Sequence, residues 1–89
     1  MWYFYLLESL KDQSFYKGHT NDLKRRLLLE HNHKRGGRYT KKHAPYKLVY
    51  YEAYTEKVDA TNSEKFFKTG YGREVLRGKL ENYLKSRNR

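Results

Sequence analysis

The sequence predicts an α+β domain in which helices pack on a small, mainly antiparallel three-stranded sheet, in the order β-β-α-β-α-α. Three observations carry that expectation. An aromatic run, Trp2 to Leu7, is separated from a second aromatic segment, Phe15 to Gly18, by the polar stretch Ser9 to Ser14, which is the pattern of a hairpin. Lys47 to Tyr54 has the β-branched and aromatic content of a third strand. Apolar residues recur at helical spacing at Leu23 and Leu27, and again at Leu76, Leu80 and Tyr83.

The first strand reads as buried, and its pairing with the second brings Tyr5 and Tyr16 toward one place from adjacent strands. Asn21 or Asp22 suits the N-cap of the next helix, where backbone N–H groups lack partners. Leu23 and Leu27, extended by Leu28, form its apolar stripe, and Arg26 lies off that stripe. Asn32 to Lys42 is a loop broken by Gly36-Gly37 and closed by Pro45. After the third strand a helix over Glu56 to Lys68 ends at Gly70, where a left-handed conformation costs glycine little. The last helix runs from Gly72 or Arg73 to Lys85, with Gly78 inside it at a cost of about 1 kcal/mol relative to alanine. Residues 1–89 contain no repeat or linker and read as a single domain.

A domain of 89 residues buries only about 60–65% of its unfolded surface, so the core is thin. High polarity alone could describe a disordered chain, but 17% aromatic residues supply the burial that a small core needs. The absence of cysteine excludes a disulfide framework and a thiolate zinc site. The apolar start lacks a basic leader region and is interrupted by Glu8, and no run reaches transmembrane length. The expectation is a cytoplasmic protein with no membrane partner.

Twenty Lys and Arg against ten Asp and Glu give a formal charge of +10, which favours an anionic partner. Between Glu30 and Glu52 there is no acidic residue, while Lys34, Arg35, Arg38, Lys41, Lys42 and Lys47 alternate with Tyr39 and Tyr46. Such a stretch reads as a phosphate-binding surface, and its tyrosines suit stacking on unpaired bases.

The succession Tyr3-Phe4-Tyr5, Tyr16-Lys17-Gly18 and Asn21-Asp22-Leu23-Lys24-Arg25-Arg26 resembles the GIY-YIG nuclease domain. That family carries its two triplets on neighbouring strands and follows them with a helix opening on an Asn/Asp-Leu-x-x-Arg pattern. Tyr3 stands where the first triplet's name expects glycine, as it commonly does in small free-standing members. The likeness continues through Lys47-Leu48-Val49-Tyr50-Tyr51-Glu52, Ser63-Glu64-Lys65 and Lys68 to Glu74, so it covers nearly the whole chain. The last run is similar to the closing segment of compact single-domain bacterial members, relatives of the N-terminal nuclease domain of the excinuclease C subunit.

The resemblance implies a metal-dependent endonuclease that hydrolyses DNA phosphodiester bonds. Its catalytic residues would be Tyr5, which orients or deprotonates the attacking water, Tyr16, which hydrogen-bonds near the scissile phosphate, and Arg26, which contacts the phosphate oxygens. Arginine suits the last task because its planar fork of donors stays charged. Tyrosine, with an ordinary pKa of about 10, needs a lowered pKa or concerted proton transfer to act as a base.

The resemblance also implies a catalytic histidine one turn after the arginine that assists a tyrosine hydroxyl, and His31 is the residue expected in that role. Here His31 stands at i+5, about 140° around the helix from Arg26, and His19 is the other candidate near the sheet. His31, His33 and His43 have no cysteine or carboxylate at finger-like spacing to complete a zinc site. Glu64 shares a helix face with Ala60 and Phe67 and so points inward.

The resemblance makes Glu64 the metal ligand, and a site with one carboxylate suits Mg2+, with Mn2+ as a substitute. The plainer reading of Glu64 is an ion pair with a neighbouring Lys or Arg. Lys17 and His19, beside the second triplet, join the loop cations as nucleic-acid contacts.

The expected partner is DNA, single-stranded or distorted forms suiting the tyrosines, with either low sequence specificity or a separate protein that supplies it. The competing function is a non-catalytic nucleic-acid-binding module that keeps the fold. A protein-interaction module is disfavoured because it has no use for a long uncompensated basic loop.

Overall fold

The computed structural model describes residues 1–31 and 42–87, with the backbone alone for 29–31. Three strands, β1 (Trp2–Ser9), β2 (Phe15–Thr20) and β3 (Tyr46–Tyr54), form one antiparallel sheet in the order β2-β1-β3. The helices among the described residues are α1 (Leu23–His31), α2 (Lys57–Phe67), α3 (Gly70–Lys79) and α4 (Glu81–Arg87). The fold is α+β as expected, with one helix more.

β1 is the central strand, and Phe4 to Ser9 are buried without a break. Its even residues, Phe4 and Leu6, pack with Phe67 of α2 and Leu76 of α3, while its odd residues, Tyr5 and Leu7, pack with Leu23 and Leu27 of α1 and with Ala44 and Tyr46. Helical cover on both faces explains why this strand is apolar along its length rather than alternating.

Glu8 interrupts the apolar run but not the strand. Its carboxylate, 2% exposed, accepts from the Tyr83 hydroxyl at 2.6 Å and the Arg87 guanidinium at 2.5 Å, with the Lys47 ammonium at 3.8 Å. Those partners come from α4 and β3, so a buried charge becomes the clasp that holds the C-terminal helix to the sheet.

β3 changes face partway along. Leu6 pairs with Tyr50 and Leu7 with Leu48, so Val49 is an extra residue in the ladder. Tyr46 and Leu48 therefore face α1, whereas Val49, Tyr50 and Tyr54 pack on the α2 and α3 side. Such a bulge reverses the inward and outward alternation beyond it.

Three local expectations are corrected. Gly70 opens α3 instead of ending α2 in a left-handed conformation, and no described glycine has positive φ. Lys68 in the right-handed region ends α2, and the Thr69 hydroxyl accepts from Gly72 N–H at 3.0 Å, so two adjacent residues stop one helix and start the next. The final helix is two helices that break at Leu80, whose φ of −107° and ψ of 19° leave helical geometry. The break lets Tyr83 and Arg87 reach Glu8. Leu28 is 48% exposed and lies outside the apolar stripe of α1. The open choice at the N-cap falls to Asp22, which accepts from Arg25 N–H at 3.0 Å.

Candidate active site

Tyr5 and Tyr16 meet on the α1 side of the sheet. Leu7 is the direct partner of Tyr16 and Gly18 of Tyr5, so the two tyrosines sit one pleat apart across the ladder. Their rings stack with centroids 6.3 Å apart and planes at 27°, and Tyr46 flanks Tyr16 at 6.2 Å. Tyr5 is 1% exposed and leans across β2 so far that a Cβ on Gly18 would lie 2.5 Å from its hydroxyl oxygen. The glycine of the second triplet thus provides the space that the tyrosine of the first triplet fills, a requirement of close approach rather than of backbone conformation.

The other face of β2 carries different chemistry. Successive side chains on a strand point to opposite faces, so Lys17 and His19 lie opposite Tyr16 and Gly18. There His19 Nδ1 is 2.7 Å from Glu64 Oε1, and Lys68 Nζ donates to Glu64 Oε2 at 2.8 Å. Ala60 and Phe67 on the same helix are buried, and the Glu64 side chain keeps 20% exposure, which is the inward orientation expected of it. Burial pushes the Glu64 carboxyl up, but the hydrogen bonds and charges of Lys68 and His19 outweigh it and leave the pKa below the ordinary carboxylate range. The ion pair set against the metal in the sequence reading is therefore present, in the form Glu64–Lys68 at i,i+4.

Glu64 nevertheless fits a hard divalent cation. Mg2+ keeps several waters and takes one carboxylate, and Lys68, half-exposed on a flexible stem, is the partner free to give up its oxygen. Among the described residues no cluster of three or more His, Asp or Glu assembles, so an all-protein cage does not exist there.

Lys17 is half-buried, and its ammonium is pushed below its ordinary pKa first by that burial and then by the cations Arg73 and Lys68. A surface groove lined by Phe15, Tyr16, Lys17, Lys68 and Arg73 crosses the edge of β2 and links the tyrosine face to the Glu64 face. Within the described sheet β2 is an outer strand, so the two sets of side chains are separated by one strand's thickness.

Arg26 is exposed on α1, off the stripe made by Leu23 and Leu27, as its spacing requires. His31 ends α1, and its side chain lies outside the described ones. Lys34, Arg35, Arg38 and Lys41 also lie outside the described residues. Lys42 is exposed, and its carbonyl accepts from Lys11 Nζ at 3.4 Å. Lys68 and Arg73 were missed as members of the site. The Glu64-x-x-x-Lys68 spacing was the available signal for the first, whereas nothing local tied Arg73 to Lys17.

Residues 1–79 match the GIY-YIG catalytic domain. The chain is 37% identical over 87 residues to a UPF0213 protein of Bacillus licheniformis, spanning 98% of this chain and 82% of that protein. It is 34% identical to the UPF0213 protein YazA of Bacillus subtilis, over 96% of this chain and 80% of that one. A match to a UPF0213 protein of Streptococcus pneumoniae reaches 41% identity over 74% of this chain and 65% of that protein's length. Among solved structures, the solution NMR structure of a UPF0213 protein from Bacillus halodurans superposes with a TM-score of 0.52 at 34% identity, covering 88% of this chain and 84% of that one.

Proposed function

Because the chain belongs to the GIY-YIG catalytic domain family, which implies nuclease activity, we propose that it is a metal-dependent endonuclease that hydrolyses DNA phosphodiester bonds. The observation that carries this reading is the meeting of Tyr5 and Tyr16 from separate strands, with Gly18 opposite Tyr5 keeping clear the space that its hydroxyl fills. Cleavage needs an activated water, neutralised phosphoryl oxygens and help for the departing oxyanion.

The phosphate lies along the outer edge of β2, the line at which side chains of both faces meet. From the α1 face Tyr5 orients the water, Tyr16 donates toward the phosphate and Arg26 places its fork of donors on the oxygens, with His31 assisting. From the other face Glu64 would hold Mg2+, or Mn2+ in its place. When bound, that ion supplies neutralisation of charge on the phosphoryl oxygens. His19 keeps the Glu64 carboxylate oriented, and Lys17, Lys68 and Arg73 receive neighbouring phosphates. Unpaired or distorted DNA suits an edge one strand thick, because a phosphate must approach closely there.

Two observations favour a second reading, a nucleic-acid-binding module without catalysis: Tyr5 is almost fully buried, and both oxygens of Glu64 already have partners. Labelled single-stranded, duplex and branched DNA, incubated with Mg2+, Mn2+ or a chelator, separates the two. The endonuclease reading expects cutting that needs the metal and is abolished in Glu64→Ala, which binds DNA as tightly as before or slightly more so. Wild-type protein that binds these DNAs and RNA yet cuts none of them overturns it.

A further inference from the structure

A cavity of about 250 Å³ opens on the α2/α3 face of the sheet, beside the groove that leads to Tyr16. Its floor is apolar and is built from Leu6, Phe15, Leu76, Leu80 and Leu84. Its rim carries Lys17, Arg73 and Arg77 and no carboxylate.

Those two halves ask for two kinds of chemistry in one ligand. Arg73 and Arg77 stand at i,i+4 on α3, where like charges repel, and Lys17 faces them from β2. None of the three cations is ion-paired among the described residues. The lowered pKa of Lys17 reports the same crowding, with Arg73 and Lys68 contributing after burial. Three cations gathered around one cavity stabilise an anion placed there at the expense of the empty fold. Leu6 and Leu76 are already core residues, but Phe15, Leu80 and Leu84 keep apolar surface on the cavity that a free phosphate, satisfying the rim alone, would leave uncovered. The volume falls just under the usual 300–1,000 Å³ of small-molecule pockets, so it suits one flat ring system and little more.

We propose that this cavity is a nucleotide subsite that takes one unpaired base of the bound strand against Phe15, Leu76 and Leu80 while Lys17, Arg73 and Arg77 hold its phosphates. The proposal rests on the endonuclease reading only for the origin of the strand. The shared residues Phe15, Lys17 and Arg73 place the cavity next to the groove at Tyr16, so the base it takes belongs to a nucleotide close to the bond being cut. Flanking-base capture of this kind makes unpaired DNA the better substrate, since a paired base cannot leave its stack without cost.

The test is binding, read without cleavage. The whole chain, with its leucine methyl groups labelled for NMR, is titrated with thymidine 5′-monophosphate, with thymidine and with inorganic phosphate. The nucleotide should shift the methyls of Leu76, Leu80 and Leu84 at concentrations where phosphate leaves them in place. Arg77→Gln, a change at an exposed helix position, should weaken that binding about tenfold, as loss of a charge-assisted hydrogen bond does. In an oligonucleotide, one abasic position should lower affinity about 5- to 150-fold while abasic sites elsewhere have little effect. Leucine methyls that ignore the nucleotide, or that respond equally to phosphate alone, overturn the subsite. A chain that cuts DNA with unresponsive leucines loses the subsite and keeps the endonuclease reading. Responsive leucines in a chain that cuts nothing give the reverse outcome.

Discussion

Replacing Gly18 by alanine tests the contact on which the tyrosine pair depends. The new Cβ would stand 2.5 Å from the Tyr5 hydroxyl oxygen, 2.7 Å from Cζ and 3.1 Å from Cε2, against roughly 3.5–4.0 Å for an ordinary carbon contact. Tyr5 must therefore retreat by about 1 Å, and it is packed among Leu7, Tyr16 and Tyr46 with 1% exposure. Overpacking of this kind costs about 1–3 kcal/mol, from which the gain of replacing glycine in a strand recovers about 0.5–1. The difference is a net loss of about 0–2.5 kcal/mol, and its centre near 1 kcal/mol lowers Tm on the order of 4–8 °C in a domain this small.

Adding Tyr5→Phe removes the 2.5 Å contact but leaves the one to Cζ, so the double variant should be more stable than the sum of the single effects by about 0.5 kcal/mol or more. Thermal and urea unfolding of the four proteins measure this cycle. Cleavage by Gly18→Ala should fall about 10²-fold with binding kept, since a hydroxyl displaced by 1 Å misses its position. Additivity of the two substitutions within about 0.3 kcal/mol would refute the geometry of the Tyr5–Gly18 contact.

Glu8→Ala should destabilise the fold by about 3–5 kcal/mol, because it leaves the Arg87 guanidinium partly buried without its carboxylate; urea midpoints read the loss, and amide exchange should show α4 opening first. Glu64 has a folded-state pKa below its unfolded value, so its contribution is present above about pH 4.3 and fades as pH falls through the folded pKa. The stability gap between wild type and Glu64→Gln should accordingly be widest near neutrality and close in acid. A gap that grows on acidification would contradict that sign. Gln13, with φ of 64°, occupies the left-handed region that glycine tolerates best, so Gln13→Gly should stabilise the β1–β2 turn by about 0.5–1 kcal/mol, visible as a higher Tm.

Local sequence determined the kinds of element and most of their neighbours. The aromatic segments either side of a polar turn specify the hairpin, Leu23 and Leu27 specify which face of α1 is buried, and Ala60 and Phe67 make Glu64 point inward. The two tyrosine triplets and the Asp22 to Arg26 helix start identify the family before any coordinate is known. All of these depend on spacing within a few residues, where the periods of helix and strand leave little freedom.

Tertiary structure decided what those periods leave open. The period of β2 already puts Tyr16 and His19 on opposite faces, but which helix covers each face, α1 beside Tyr16 and α2 beside His19, is settled by packing across the sheet. The bulge at Val49 reverses the alternation of β3, a change no local pattern announces because an inserted residue preserves composition while shifting phase. Leu80 breaks the final helix, and that break lets Tyr83 and Arg87 close over Glu8, partners more than seventy residues away in sequence. The cations Lys17, Arg73 and Arg77 share one cavity only because Leu76 of α3 joins the core cluster of Phe4 and Leu6 on β1, which brings that helix beside Lys17. Charges and hydrogen-bonding groups carry no spacing rule of their own, so where they meet is settled by the packing of the apolar faces that bring their backbones together.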